Sequence, residues 1–264
     1  MKRFILLFQL VLLAFTDPIW AQIPRVVDIP TRPSVTQRMV VLEPDKPKAA
    51  VVLFAGGHGG LQISSSGSFK WGQGNFVVRS RELFVSHGLM VSVVDAPSDR
   101  QNPLYLVGGF RQKPEHVADI KAVIAWLKQQ AKLPVWLVGT SRGTQSAVFI
   151  ATQLAPADGG PDGVVLTSTM LTEIPGGRPV PKMPLGRIQV PTLVVHHKQD
   201  GCEHCKYGDL PQLMDKLTAV PRKELLTFEG GKTQGNPCEA MGYHGFNGIE
   251  KEVVTKIAEW ITRK

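Results

Sequence analysis

Short apolar runs that are typical of buried strands alternate along the chain with segments whose apolar residues recur at helical spacing. The runs that predict strands are 37–42, 50–55, 89–94, 135–138, 163–167, 192–196 and 224–228. Helical spacing predicts helices over 79–87, 114–132, 210–217 and 249–262. Because strands that alternate with helices pair in parallel, the pattern predicts an α/β fold: a mostly parallel twisted sheet with helices on both faces.

One strand runs directly into a motif that carries chemistry. The strand 135–138 leads into Gly139-Thr140-Ser141-Arg142-Gly143, and a helix-like stretch follows. This G-x-S-x-G pattern in a strand–turn–helix setting is typical of a nucleophile elbow, whose tight turn needs small residues two positions before and after the serine. We therefore predict that Ser141 is a nucleophile. The alternative is a glycine-rich turn in which Ser141 only caps a helix.

On these residues the chain resembles the α/β-hydrolases, from about Arg38 to Arg263. The resemblance implies a serine hydrolase whose catalytic residues follow the chain order nucleophile, acid, histidine. It implies no cofactor and no metal.

A serine hydroxyl needs a general base, and the base needs a carboxylate that orients it. In α/β-hydrolases the catalytic histidine follows the last strand, which is the place of His244. The acid lies in the loop after the strand 192–196, where Asp200 stands. Asp95 also follows a strand, but it precedes the serine and breaks the order. The alternative for Asp200 is a turn aspartate in an Asp-Gly pair.

The resemblance also implies two backbone N–H groups that hold the oxyanion. One is expected from Arg142, directly after the nucleophile at the start of a helix. The other is expected from the loop Gly56–Gly60, at Gly57 or His58. A phosphate-binding glycine loop is the rival interpretation, and it is disfavoured because no Gly-Lys-Ser/Thr follows.

The chain has three cysteines, Cys202, Cys205 and Cys238. Cys202 follows the expected acid and Cys238 precedes the expected base, in loops that leave neighbouring strands, so a Cys202–Cys238 disulfide is the first prediction. Cys205–Cys238 is the second. A redox C-x-x-C pair, or a zinc site with His196 or His197, are further alternatives.

The N-terminus has the features of an export signal. Lys2 and Arg3 precede an apolar run that ends near Asp17-Pro18, and Ala21 offers a small residue for cleavage. We expect a signal peptide over 1–21, an extended N-terminal arm over 22–37 with three prolines, and one domain over 38–264. A periplasmic or secreted protein follows, with an uncleaved membrane anchor as the alternative. No second long apolar stretch follows, so no membrane span is expected in the mature chain.

The net charge of +8 does not by itself indicate a nucleic-acid partner, because the basic residues are scattered and form no run of five or more. The segment 170–188 holds four prolines and is too short for a large cap domain. It favours an open site for small or extended esters.

The sequence therefore predicts an exported serine hydrolase that acts on a small-molecule acyl substrate, an ester or related acyl bond. Peptidase, thioesterase and acyltransferase activities use the same residues and stay open, as does the oligomeric state. A non-catalytic binding protein on the same scaffold is the hypothesis from another class.

Overall fold

The structure is a computed structural model that describes residues 24–263. Its strands form one eight-stranded sheet: β1 (Arg25–Arg32), β2 (Val35–Leu42), β3 (Ala49–Phe54), β4 (Leu89–Val94), β5 (Val135–Thr140), β6 (Gly163–Thr167), β7 (Thr192–His197) and β8 (Lys223–Phe228). The spatial order is β1-β2-β4-β3-β5-β6-β7-β8. The strands β3 to β8 are mutually parallel, and β1 and β2 join the β4 edge in antiparallel pairing. The predicted α/β sheet is confirmed.

Helices cover both faces of this sheet: α1 (Phe76–Arg79), α2 (Arg81–Ser86), α3 (Pro114–Ala131), α4 (Gly143–Gln153), α5 (Leu210–Lys216) and α6 (Glu250–Thr262). The helices α3, α4 and α5 pack on one face, and α1, α2 and α6 pack on the other. Successive residues of β5 alternate between the two layers, since Val135 and Leu137 join the first core and Trp136 and Val138 join the second. Burial on both faces explains why the central strands are continuous apolar runs.

The N-terminal segment differs from the expected extended arm over 22–37. Residues of this segment form β1 and the start of β2, a hairpin that extends the sheet, so the domain begins before residue 38. Proline is tolerated on an edge strand, which is where Pro30 lies. The hairpin is also held to α3, because the fully buried carboxylate of Asp119 accepts hydrogen bonds from Thr31 Oγ1 (2.5 Å) and Arg32 Nε (2.8 Å).

The segment predicted as one helix over 79–87 is two short helices, α1 and α2. They are separated at Ser80, whose backbone (φ −93°, ψ 3°) leaves the helical region. The other predicted helices and strands agree with the structure to within one or two residues at each end.

The expected signal peptide over 1–21 lies outside the described residues. Within residues 24–263, no helix has the length and apolar character that crossing a bilayer requires.

Candidate active site

Ser141 lies in the sharp turn between β5 and α4, at the carboxyl end of the central strand. Its backbone is in the left-handed region (φ 52°), which is strained for a residue with a side chain. A Cβ on Gly139 would lie 2.5 Å from the Gly143 carbonyl oxygen, and a Cβ on Gly143 would collide with the Phe54 carbonyl. The two glycines of the motif are therefore required by the close approach of the backbone, as a nucleophile elbow needs.

Asp200 and His244 form a direct hydrogen bond. Nδ1 of His244 donates to Oδ2 of Asp200 over 2.9 Å, and both side chains are almost fully buried. The other carboxylate oxygen, Oδ1, accepts the N–H of Cys202 at 2.9 Å. A carboxylate can only accept, so the shared proton belongs to Nδ1, and in the neutral ring Nε2 of His244 is the nitrogen with the lone pair.

Nε2 of His244 and the side chain of Ser141 belong to the same pocket. This Nε2 is buried and has no hydrogen-bond partner among residues 24–263, and Oγ of Ser141 contacts Met170 Sδ at 3.8 Å. The pocket has a cavity volume of about 40 Å³ and lies at the carboxyl edge of the sheet. The residues that line it are Gly56, Gly57, Asn75, Phe76, Thr140, Ser141, Cys238, Ala240, His244 and Gly245. The structure thus brings all three predicted catalytic residues to one place.

The two positions expected to supply the second oxyanion donor differ in their surroundings. Gly57 has a positive φ (56°) and lines the pocket. The ring of His58 does not line the pocket, because it stacks on Trp71 (centroids 3.7 Å apart) and on Tyr105 (4.4 Å). Burial lowers the pKa of His58, which favours the neutral ring. Arg142 is the N-cap residue of α4, so its N–H lies at the helix start.

A buried arginine that the sequence analysis did not single out supports this loop. Nη2 of Arg111 donates to the carbonyls of Ala55 (2.9 Å) and Gly57 (3.3 Å), and Nη1 donates to Ser146 Oγ (2.9 Å). These two carbonyls flank the peptide that carries the Gly57 N–H, so Arg111 fixes its orientation. Burial lowers the pKa of Arg111, and the charge of Arg142 lowers it further. In the sequence, Arg111 is only one of the scattered basic residues.

The rejected acid Asp95 has a structural role. Its Oδ1 accepts the N–H groups of Leu61 (2.7 Å) and Ala96 (2.7 Å), and its Oδ2 accepts the N–H of Ile63 (2.8 Å). This carboxylate anchors a loop, and in the part of the chain that the structure describes it makes no hydrogen bond to a histidine.

Another histidine lies beside the Asp200 carboxylate. Nε2 of His196 donates to the carbonyl of Cys205 at 2.7 Å and lies 3.6 Å from Asp200 Oδ2. Burial lowers the pKa of His196, so this ring is held neutral beside the acid. His244 is therefore the histidine that Asp200 orients through a direct hydrogen bond.

The predicted Cys202–Cys238 disulfide is present, with Cα atoms 4.4 Å apart. Cys205 is a buried free thiol whose pKa is raised well above its usual value by burial and by Asp200. Sulfur atoms of Cys202 and Cys205 and a ring nitrogen of His244 lie within 4.8 Å of one another. They do not fit a metal site, since Cys202 is covalently paired and Cys205 is held as a thiol.

The disulfide predicts a large effect on stability. Changing Cys202 and Cys238 together to serine should lower the free energy of unfolding by about 3–4 kcal/mol, because the bridge closes a loop with a sequence separation of 36. Denaturant unfolding of the variant and the wild type measures this loss. Non-reducing peptide mapping of the wild type should give one linked pair, Cys202–Cys238. Cys205→Ser is the control and should cost less. A linked pair that contains Cys205, or three free thiols, would contradict the prediction.

The proline-rich segment 170–188 packs against α4 and contains only two single-turn 3-10 helices. Nη2 of Arg142 donates to the Pro175 carbonyl at 2.9 Å, and Nε2 of Gln145 donates to the Arg178 carbonyl at 2.8 Å. These two bonds tie the segment to the first turn of the helix that follows Ser141. In this structure the segment does not form a cap domain.

Comparison with known proteins gives structural similarity only. No protein-family model and no curated protein matches the chain. The structure is similar to a dienelactone hydrolase from Anabaena variabilis, with a TM-score of 0.61 and 16% identity over 90% of this chain and 97% of that one. It is similar to an esterase from Pyrococcus furiosus, with a TM-score of 0.64 and 14% identity over 91% of each chain.

A third similar structure is a serine hydrolase without a lid from Xanthomonas campestris. Its TM-score is 0.55 and its identity is 15%, over 91% of this chain and 98% of that one. These neighbours are hydrolases, and together with the sheet topology they confirm the predicted α/β-hydrolase fold. Identities this low show the fold and leave the activity to be argued from the site.

Proposed function

We propose that this chain of α/β-hydrolase fold is a serine hydrolase that cleaves carboxylic esters through an acyl-enzyme. The observation that carries the proposal is the pocket shared by Ser141 and His244, in which Nε2 of His244 is free and Nδ1 is held by Asp200. A free Nε2 lone pair beside a serine on a strained elbow is what a general base and its nucleophile require.

In the proposed reaction, Oγ of Ser141 attacks the ester carbonyl while Nε2 of His244 takes its proton. Asp200 holds the ring through Nδ1 and stabilises the imidazolium that forms. The N–H groups of Arg142 and Gly57 donate to the oxyanion. His244 then protonates the leaving alcohol, and water releases the acid from Ser141 in a second round of the same steps.

The size of the pocket supports small acyl groups. Its cavity volume of about 40 Å³ is far below the roughly 300–1,000 Å³ of typical ligand pockets. Gly56 and Gly57 line it without side chains, and Phe76 and Cys238 are also among its lining residues. We therefore propose short-chain esters as substrates. The disulfide is consistent with export to an oxidising compartment, which we propose as the site of action.

The experiment that tests the function is active-site labelling with a fluorophosphonate, followed by a substrate panel. We expect one covalent adduct that maps to Ser141, and hydrolysis of short p-nitrophenyl esters in preference to long ones and to peptide amides. Labelling that is absent in the folded protein would instead support a non-catalytic binding protein. Faster cleavage of amides than of esters would replace the esterase proposal by a peptidase.

A further inference from the structure

One polar side chain of the pocket has no role in the reaction described so far. Asn75 is the N-cap residue of α1 and lines the pocket with Ser141 and His244. An asparagine at this position usually accepts a hydrogen bond from an N–H of the first turn, and losing such a cap costs about 1 kcal/mol. The side chain of Asn75 makes no such bond. The residue lines the pocket without capping the helix.

The amide of Asn75 is also unsatisfied by the protein. Its Oδ1 is buried and has no hydrogen-bond partner among the described residues. The backbone of Asn75 is fully engaged, because its N–H donates to the Gly72 carbonyl (2.9 Å) and its carbonyl accepts the N–H of Arg79 (2.9 Å). The fold therefore uses the backbone of this residue, whereas its Oδ1 has no partner among residues 24–263, so the side chain is not committed to a hydrogen bond that holds the fold.

The position of the amide places it at the reacting centre. A Cβ built on Gly56 would lie 3.3 Å from Asn75 Nδ2 and 3.0 Å from Ser141 Cβ. The distance from Asn75 Nδ2 to Ser141 Cβ is therefore at most the sum of 3.3 Å and 3.0 Å, or about 6.3 Å. Asn75 and Ser141 line the same pocket, so this nitrogen is close enough to Ser141 to serve as a donor to a group bonded to its Oγ.

We propose that Asn75 is a catalytic residue whose Nδ2–H donates a hydrogen bond to the oxygen of the acyl group attacked by Ser141. The inference rests on the proposed function and adds a side-chain donor to the two backbone donors. No proton is transferred, since an amide donor stabilises the negative charge that develops on this oxygen without giving up its hydrogen. The loss of one such donor lowers kcat by about 10²–10³-fold in known cases.

Two substitutions test the role of the amide. Asn75→Ala removes the side chain, and Asn75→Asp keeps the shape but replaces the donor by an oxygen that can only accept. We expect kcat for a short ester to fall by about 10²–10³-fold in both variants, with KM changed by only a few-fold. Affinity for a boronic acid that adds to Ser141 as a transition-state analogue should fall by a similar factor.

Ser80→Ala is the matched control. Ser80 is the N-cap residue of the next helix, α2, has no side-chain cap bond and has a buried Oγ without a partner among residues 24–263, but it does not line the pocket. We expect this variant to change stability only and to leave kcat within about twofold of wild type. The melting temperature of each variant shows whether a loss of activity comes from unfolding. If Asn75→Ala does not fold, kcat of the nearly isosteric Asn75→Asp tests the inference.

Three results would overturn the inference. A kcat for Asn75→Ala within threefold of wild type would remove the amide from the reaction. If Asn75→Asp were fully active and Asn75→Ala inactive, the side chain at position 75 would act as a hydrogen-bond acceptor and not as a donor. A wild-type protein that hydrolyses no ester and is not labelled by a fluorophosphonate would overturn the proposed function as well, whereas an active wild type with an unaffected Asn75→Ala overturns this inference alone.

Discussion

Replacing Ser141 with alanine should lower kcat for an ester by about 10⁵–10⁶-fold, the largest effect expected from any single change in this chain. The substitution removes the one oxygen that forms the covalent bond to the acyl group, so no other group can carry the same reaction. The protein should stay folded, because within residues 24–263 the one hydrogen-bond partner of the serine hydroxyl is Met170 Sδ, at 3.8 Å. Ester kinetics together with thermal unfolding would measure the two effects separately.

The control for this prediction is Ser86→Ala, on the exposed surface of α2. Its Oγ donates only to the Leu83 carbonyl, so activity and phosphonate labelling should be those of the wild type. If Ser141→Ala retained near-normal turnover and was still labelled, the nucleophile would have to be another residue.

Replacing Asp200 with asparagine should lower kcat by about 10⁴-fold while the fold is retained. In the structure, Oδ2 accepts the Nδ1 proton of His244 and Oδ1 accepts the N–H of Cys202. If the amide nitrogen faces His244, its hydrogens require the lone pair of Nδ1, so the ring proton moves to Nε2. A protonated Nε2 can no longer take the proton of Ser141. Steady-state kinetics on the purified, folded variant would measure the loss.

Asp95→Asn is the matched control for the acid. Asp95 also follows a strand, but its carboxylate accepts backbone N–H groups such as those of Leu61 and Ile63. We expect this change to lower the free energy of unfolding by about 1–3 kcal/mol, because it disturbs a buried set of hydrogen bonds, and to lower kcat far less than Asp200→Asn does. The opposite order of the two effects on kcat would assign the acid to Asp95.

The elements that the sequence predicted well are those whose signals are local. Each central strand is an apolar run because it is buried on both faces, and the turn at Ser141 needs small residues at 139 and 143 that can be read directly. The placement of Asp200 and His244 depended on the resemblance to the α/β-hydrolases. Once the strand order was fixed, their loops had to meet at one edge of the sheet.

The features that the sequence did not predict depend on partners far away in the chain. The strand β1 is ordered by pairing with β2 and by the bonds of Arg32 to Asp119, 87 residues further on. Arg111 and Asn75 are ordinary loop and cap residues until the fold brings Arg111 against the Ala55 and Gly57 carbonyls and Asn75 to the pocket. The role of Arg111 follows from the carbonyls that it binds, and the role of Asn75 follows from its unpaired side-chain oxygen. No periodicity or motif in the sequence indicates either of these surroundings.

The disulfide has a consequence for the edge of the sheet. The strand β8 is the last in the spatial order and pairs with no strand other than β7 within residues 24–263, and edge strands of this kind open more readily than central ones. Because the Cys202–Cys238 bridge joins the loop after β7 to the loop after β8, it turns this edge into a covalently closed ring. When β8 opens locally, the bridge therefore keeps the His244 loop close to the Asp200 loop. The hydrogen bond between His244 and Asp200 can then re-form when β8 pairs with β7 again.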